Sequence, residues 1–274
     1  MTISRLQMGR LSRLVPLAII ATVAAAFAWM LRQPDRLDPA RSWCGPSLAR
    51  PLGCGEGGVD LLAVVSNAEV RGVVLALSVA LVGFAIGTPL GAVSALGRGR
   101  LERFVLRACD LLQAFPTFLL ALAVLSAVRS PTRWHMGCVF ALTAWAPFAR
   151  LSLVQTRVLR DQAFVDAARA LGASRLAVLG RHVLPNVLGV AAVQLGAEGA
   201  AVVVSEAALG FVGLGPRDGV SLGAVLDQGV AAMLRAPHVL LVGAACVFVT
   251  SAAMLLAGQA VDPALRAGAV VRDG

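Results

Sequence analysis

The sequence contains no lysine and no tyrosine, only three histidines, and 14% charged residues. Soluble domains carry about a quarter charged residues. So little charge excludes the ordinary soluble class and points to a chain dissolved in lipid. The missing lysine has a chemical consequence. A Walker A phosphate loop needs one, so this chain has no P-loop ATPase site of its own. His135, His182 and His238 are scattered, and no cysteine spacing matches a zinc or iron–sulfur site, so no metal or other cofactor is expected. Ser78 and Ser205 stand in no arrangement with a base that would make a nucleophile. The chain is therefore not expected to be an enzyme.

What is present is apolar: 58% of the residues are hydrophobic. The formal net charge is +9, with every basic residue an arginine. In a soluble protein such charge would suggest nucleic acid. Here the arginines lie in short segments between apolar runs, where they set membrane topology, so the expected surroundings are a lipid bilayer and no nucleic acid. Cys109, Cys138 and Cys246 lie in or beside apolar runs and read as small packing residues. Cys44 and Cys54 share one polar segment. They form either a disulfide, if that segment faces an oxidising compartment, or two free thiols.

A helix needs about 20 apolar residues to cross the hydrocarbon core. The first run, Leu14 to Leu31, follows Arg5, Arg10 and Arg13. A basic start and the Ala26-Phe27-Ala28 triplet resemble a cleaved signal peptide, but the length and the Trp29-Met30-Leu31 ending favour a retained anchor. Residues 1–31 thus form a short tail and anchor, and 32–70 form an external loop. The second span covers Gly72 to Leu96, with Gly83, Gly87 and Gly91 at every fourth position, a spacing that lets another helix come close. Its Pro89 is tolerable in a packed membrane helix. After a basic turn at Arg98, Arg100 and Arg103, a third span runs from Leu111 to Val128 with a kink at Pro116. Asp110 is placed at the inner start of that span, where an acid suits a helix N-terminus. A fourth span covers His135 to Thr156, with Arg150 reaching the headgroups. The fifth covers Asn186 to Phe211 and the sixth Val239 to Gly258. Between these last two, Leu222, Val225, Leu226, Val230, Met233 and Leu234 describe an amphipathic interfacial helix. The sequence therefore predicts an all-α membrane protein with six transmembrane helices. Residues 71–258 form its core and 259–274 its tail. Most arginines fall in the N-terminus, Arg98 to Arg107, Arg150 to Arg181 and the tail, which puts both termini in the cytoplasm.

The inner loop 157–185 carries the most information. Phe164, Ala167, Ala168 and Leu171 fall at i, i+3, i+4 and i+7, one apolar face of a helix over Asp161 to Leu171. Arg160, Asp166 and Arg169 lie elsewhere on its surface. Gly172 is a helix stop, Ser174 caps a second short helix to Leu179, and Pro185 opens the next span. On pattern alone, an ordinary amphipathic surface loop fits equally well. Two carboxylates fall within the fifth span, where ionisable groups are costly and often functional. Glu206 either reaches the interface, caps a neighbouring helix or lies on the path of a solute; Glu198 either pairs with an arginine of another subunit or lines a cavity.

Asp166-Ala167-Ala168, Gly172 and Leu184-Pro185 resemble the EAA loop of ABC importer permeases, with Asp where Glu is usual and His182 in place of an aliphatic residue. Arg50-Pro51-Leu52-Gly53, Asp110 to Pro116, Phe164 to Ser174, Arg181 to Asn186, Glu206 to Gly215 and Asp262-Pro263 resemble, in order, the elements of the dipeptide/oligopeptide/nickel branch. The first is degraded, with Cys54-Gly55 in place of Thr-Asp. The resemblance implies a type I importer permease forming half of a solute pathway in a bacterial inner membrane. It implies as partners a second, similar permease, two ATP-binding cassette ATPases and an extracytoplasmic solute-binding protein. Phe164, Asp166, Ala167, Ala168, Arg169, Leu171, Gly172, Leu184 and Pro185 would then form the coupling loop seated in an ATPase groove. The competing reading is a secondary transporter or channel working without ATPases, against which no convincing internal repeat is visible.

Overall fold

The computed structural model describes residues 37–96 and 99–272, leaving aside the side chains of Arg175 and of residues 261–272. The expected first span, Leu14 to Leu31, with Arg5, Arg10, Arg13 and Arg98, lies outside the described residues. Among those described, the chain is helical, with an antiparallel bridge between Cys54 and Asp60. The long helices are α1 (Leu61–Leu96), α2 (Arg100–Gln113), α3 (Thr117–Ser126) and α4 (Arg133–Arg160). After them come the short α5 (Ala163–Ala170) and α6 (Arg175–Val178). A π-turn, Leu179–Val183, leads from α6 into α7 (Leu184–Leu209), and a second, Gly210–Leu214, follows it. The chain closes with α8 (Leu222–Ala231) and α9 (Pro237–Arg272). Four stretches are long and apolar enough to cross a membrane: Leu61–Leu96, Arg133–Arg160, Leu176–Leu214 and Pro237–Ala260. The pair α2–α3, bent by 67°, makes a fifth if counted as one broken span. This is compatible with six spans.

Several boundaries differ from the sequence expectation. The second span begins as a helix at Leu61 rather than Gly72. Asp60 caps it, its Oδ1 accepting the Leu62 N–H at 3.0 Å. At 1.5 Å per residue, the 36 residues of α1 reach about 54 Å, well beyond an apolar core about 30 Å thick. The expected third span is instead two helices. Pro116 has extended-side backbone, φ −56° and ψ 123°, and stops the chain from continuing α2. Asp110 consequently lies in the last turn of α2, not at a helix start. The Arg150 side chain does not reach away to the headgroups but pairs with Asp110 and donates to Gln113 Oε1 at 3.1 Å. Helix α8 is only partly interfacial: Leu222 and Val225 are buried with Leu61, Val65 and Ala68, while Val230, Met233 and Leu234 face outward.

The centre of the fold is the seam between α1 and α4. An added Cβ on Gly83 would meet the Ala144 carbonyl at 2.8 Å, and one on Gly87 or Gly91 would overlap the carbonyls of Trp145 or Ala149. Only hydrogen at these positions allows the backbones to touch. Around the seam, Val79, Leu125, Met136, Phe140 and Leu209 form one buried cluster, and Phe84 meets Phe148 edge-on at 6.0 Å. The outer faces expose Val74, Leu77, Leu81, Ile86 and Phe248, as lipid or another apolar surface demands.

At one end of the bundle, residues 37–60 fold into a compact loop closed by a Cys44–Cys54 disulfide. Trp43 and Leu52 pack it onto the apolar cluster shared by α1, α8 and α9. Gly91→Leu is expected to lower the thermal unfolding midpoint of the detergent-solubilised protein by several degrees, since overpacking against backbone costs about 3 kcal/mol. Gly180→Ala, where nothing lies within 4 Å of a new Cβ, should leave the midpoint unchanged. Size-exclusion after heating measures both.

Candidate functional site

At the end of the bundle opposite the disulfide loop, α4 runs out at Arg160 and the chain doubles back through α5 and α6. The short α5 is closed by a Schellman turn. Gly172 takes φ +85°, the Ala173 N–H reaches the Ala168 carbonyl at 3.0 Å, and the Gly172 N–H reaches that of Arg169 at 2.9 Å. Ser174 Oγ then accepts the Ala177 N–H at 3.2 Å and starts α6. Pro185 falls in the first turn of α7, where its missing N–H costs nothing.

The apolar face expected on α5 carries Phe164 and Leu171, both exposed, and it is not the side that holds the helix to the bundle. The residue that anchors α5 is Val165, fully buried against Ala92, Val178, Leu179, Val183 and Val187. Ala168 joins it as a half-buried neighbour. Phe164 remains 44% exposed, Leu171 89% and Leu176 74%. The helical period of the apolar residues holds, but both sides of this small helix are apolar, and periodicity alone does not say which side meets the bundle. Phe164 leans on the His182 ring at a centroid distance of 6.2 Å. Asp166 and Arg169 face each other at 3.5 Å with both side chains largely in solvent. That geometry is worth little as an internal bond and leaves both charges accessible. Leu184 is half-buried and Pro185 exposed. The result is a rigid helix held from behind by Val165, presenting Phe164, Ala167, Leu171 and a charge pair outward.

A buried polar lock sits beside it, and the sequence pattern does not single it out. Glu102 of α2 is 7% exposed and takes Arg157 on one oxygen, with Arg160 at 3.8 Å. Arg160 also donates to the Ala95 carbonyl of α1. Arg160, expected to be free on the loop surface, is thus embedded among α1, α2 and α4, because a cation this deep needs partners. The only sequence signal is an acid set among Arg100, Arg103 and Arg107.

Glu198 and Glu206 lie far along α7 from this loop, and the structure does not bring them together with it. Glu206 is 1% exposed. It is wedged against Gly72 of α1 with its Oε1 unpartnered, and Arg133 and Asp218 are the charged groups nearby. Arg133 donates to Asp218 at 3.2 Å and to the Val220 carbonyl at 2.5 Å, and Arg71 donates to the Asp218 carbonyl at 2.9 Å. These bonds pin the segment before α8 to α1 and to the start of α4. Glu198 lines a cavity of about 120 Å³ with Gln113, Thr117, Phe140, Thr143 and Ser205.

If Val165 anchors α5, Val165→Ala should cost about 2 kcal/mol of local stability through the void it leaves. Amide hydrogen exchange over residues 163–170 should then rise more than tenfold. Leu171→Ser should leave that exchange unchanged.

Residues 87–267 match the family described as "Binding-protein-dependent transport system inner membrane component". The chain is 34% identical over 222 residues to the glutathione transport system permease protein GsiD of Shigella dysenteriae, covering 81% of this chain and 73% of that one. It is 32% identical over 227 residues to GsiD of Pectobacterium atrosepticum, covering 81% and 75%. Its fold is similar to a chain of the MetNI methionine ABC transporter solved in inward-facing conformations, with a TM-score of 0.62 at 18% identity over 74% of this chain and 96% of that one. A multi-pass helical bundle, an exposed short helix with a glycine stop and this agreement in sequence and fold lead to one conclusion: the chain belongs to the binding-protein-dependent transport system inner membrane component family and is a permease subunit of an ATP-driven importer.

Proposed function

We propose that this chain forms half of a solute pathway in the bacterial inner membrane, paired with a similar but distinct permease. Two separate ATPase subunits drive it through α5, and an extracytoplasmic binding protein delivers a peptide-like or nickel-type solute. The observation that carries the reading is the two-sided build of α5. Val165 fixes the helix to α1 and α7, while Leu171 is 89% exposed and Phe164, resting on His182, keeps 44% of its surface exposed. Such a helix suits an apolar groove on another protein, with Asp166 and Arg169 setting its register. The absence of lysine supports hydrolysis on separate subunits, since this chain carries no phosphate loop. The relatives named for glutathione transport support a small peptide-like cargo.

Orientation follows from the two ends of α1. The disulfide loop closes over its start, and Ala92 and Leu96 at its finish pack with Val165 of α5. Disulfides persist in oxidising compartments. In this reading the loop 37–60 faces outward and α5 faces the cytoplasm, and the arginine-rich segments put both termini inside. The buried lock of Glu102 with Arg157 and Arg160 joins the end of α4 to α2, so a push on α5 is passed to the broken span α2–α3 as well as to α1. Glu198 and Glu206 lie on the solute side of this lever arrangement.

Phe164→Asp or Gly172→Pro should reduce ATP-coupled uptake to background, and the ATPase subunits should no longer co-purify with the tagged chain. Insertion and yield should stay normal. Uptake that persists in both variants, or transport by the chain without any ATPase, would favour a secondary transporter.

A further inference from the structure

Glu198 stands in an unusual position electrically. Among the described residues it has no hydrogen-bond or ion-pair partner. Arg150 is the cation that touches this region, but Asp110 neutralises it, and it spends another N–H on Gln113 Oε1. The cavity wall beside Glu198 adds Gln113, Thr117, Thr143 and Ser205, four more groups able to hydrogen-bond, over a floor that includes Phe140. Ser205 lies seven residues beyond Glu198 on α7, two helical turns along the same face. An ionisable side chain at membrane depth is costly unless something offsets its charge. A cavity of about 120 Å³ has room for a small head group and several waters.

Resting on the importer reading above, we infer that this cavity is a station on the solute path for a cationic head group, an ammonium, with Glu198 as its counter-charge. The hydroxyls of Thr117, Thr143 and Ser205 replace the water that the ammonium gives up, each accepting one of its N–H donors. The site is too small for a whole peptide, so it reads one end of the solute, and the remainder extends beyond the cavity. A solute with a free amino group passes favourably, and one without it loses this contact. Glu198 is thus a specificity-determining residue, distinct from the α5 lever that supplies the motion.

The test is charge-selective labelling of Ser205→Cys in the full chain, in membrane vesicles with its co-expressed transporter subunits and without ATP. Cys138 and Cys246 are changed to Ala; Cys109 is buried. With each rate divided by that reagent's rate with a free thiol in solution, the positively charged trimethylammonium-ethyl methanethiosulfonate should modify the introduced thiol about tenfold faster than the negatively charged sulfonatoethyl reagent, as one nearby uncompensated charge dictates. Glu198→Gln, nearly isosteric, should bring the two rates together. Ethylammonium chloride should slow the cationic reagent more than sodium chloride at equal ionic strength, and only while Glu198 is present. Equal rates for the two reagents, a preference that survives Glu198→Gln, or no reaction with either reagent would overturn the proposal; the last would mean that another subunit or lipid fills the cavity. The readout is independent of energy coupling. Normal uptake by Phe164→Asp with the labelling preference intact would sink the importer reading alone, and lost preference with uptake still dependent on Phe164 would sink the ammonium station alone.

Discussion

The backbone contact between α1 and α4 is the constraint on which the other helices depend. Carbonyls of Ala144, Trp145 and Ala149 lie against Gly83, Gly87 and Gly91. In lipid there is no hydrophobic force between helices, because the tails are as apolar as leucine. Close van der Waals approach therefore has to hold the bundle, and small residues are what permit it. Once α1 and α4 are fixed on each other, α7 packs across both, α9 packs on α7, and the outer loop and α8 close over the start of α1.

Charge is distributed by the same logic. Deep polar groups are tied in sets at the two ends of the bundle. Arg71, Arg133 and Asp218 hold the end nearer the disulfide loop, and Glu102, Arg157 and Arg160 hold the end nearer α5. Each set joins elements distant in sequence. The inner set lies where α4 gives way to α5, which makes the short helix an arm of the bundle rather than a loose loop. Glu198 stands apart from both sets, a carboxylate beside a cavity with no ion-pair partner among the described residues.

Family relatives and a solved importer permease with the same fold give this arrangement its context. In α5, one face is fastened by the buried Val165 with Ala168 beside it, and the other leaves Phe164 and Leu171 exposed.

Much of this was written in the residue order. Apolar runs separated by arginines fixed the membrane class, because a spanning helix must satisfy its backbone internally and exclude charge over its length. The glycine spacing in α1 announced the seam, and Gly172 with Ser174 announced the corner between α5 and α6, because these signals are local. The sequence marked a kink at Pro116 but could not decide that it is a break of 67°, that Arg150 pairs with Asp110, or that Arg160 is sequestered by Glu102 and Ala95. Nor could it choose between Val165 and Phe164 as the anchored side of α5. Each of these depends on which distant element lies opposite, and burial of an apolar or charged group is decided by that neighbour rather than by the residue's own place in the chain.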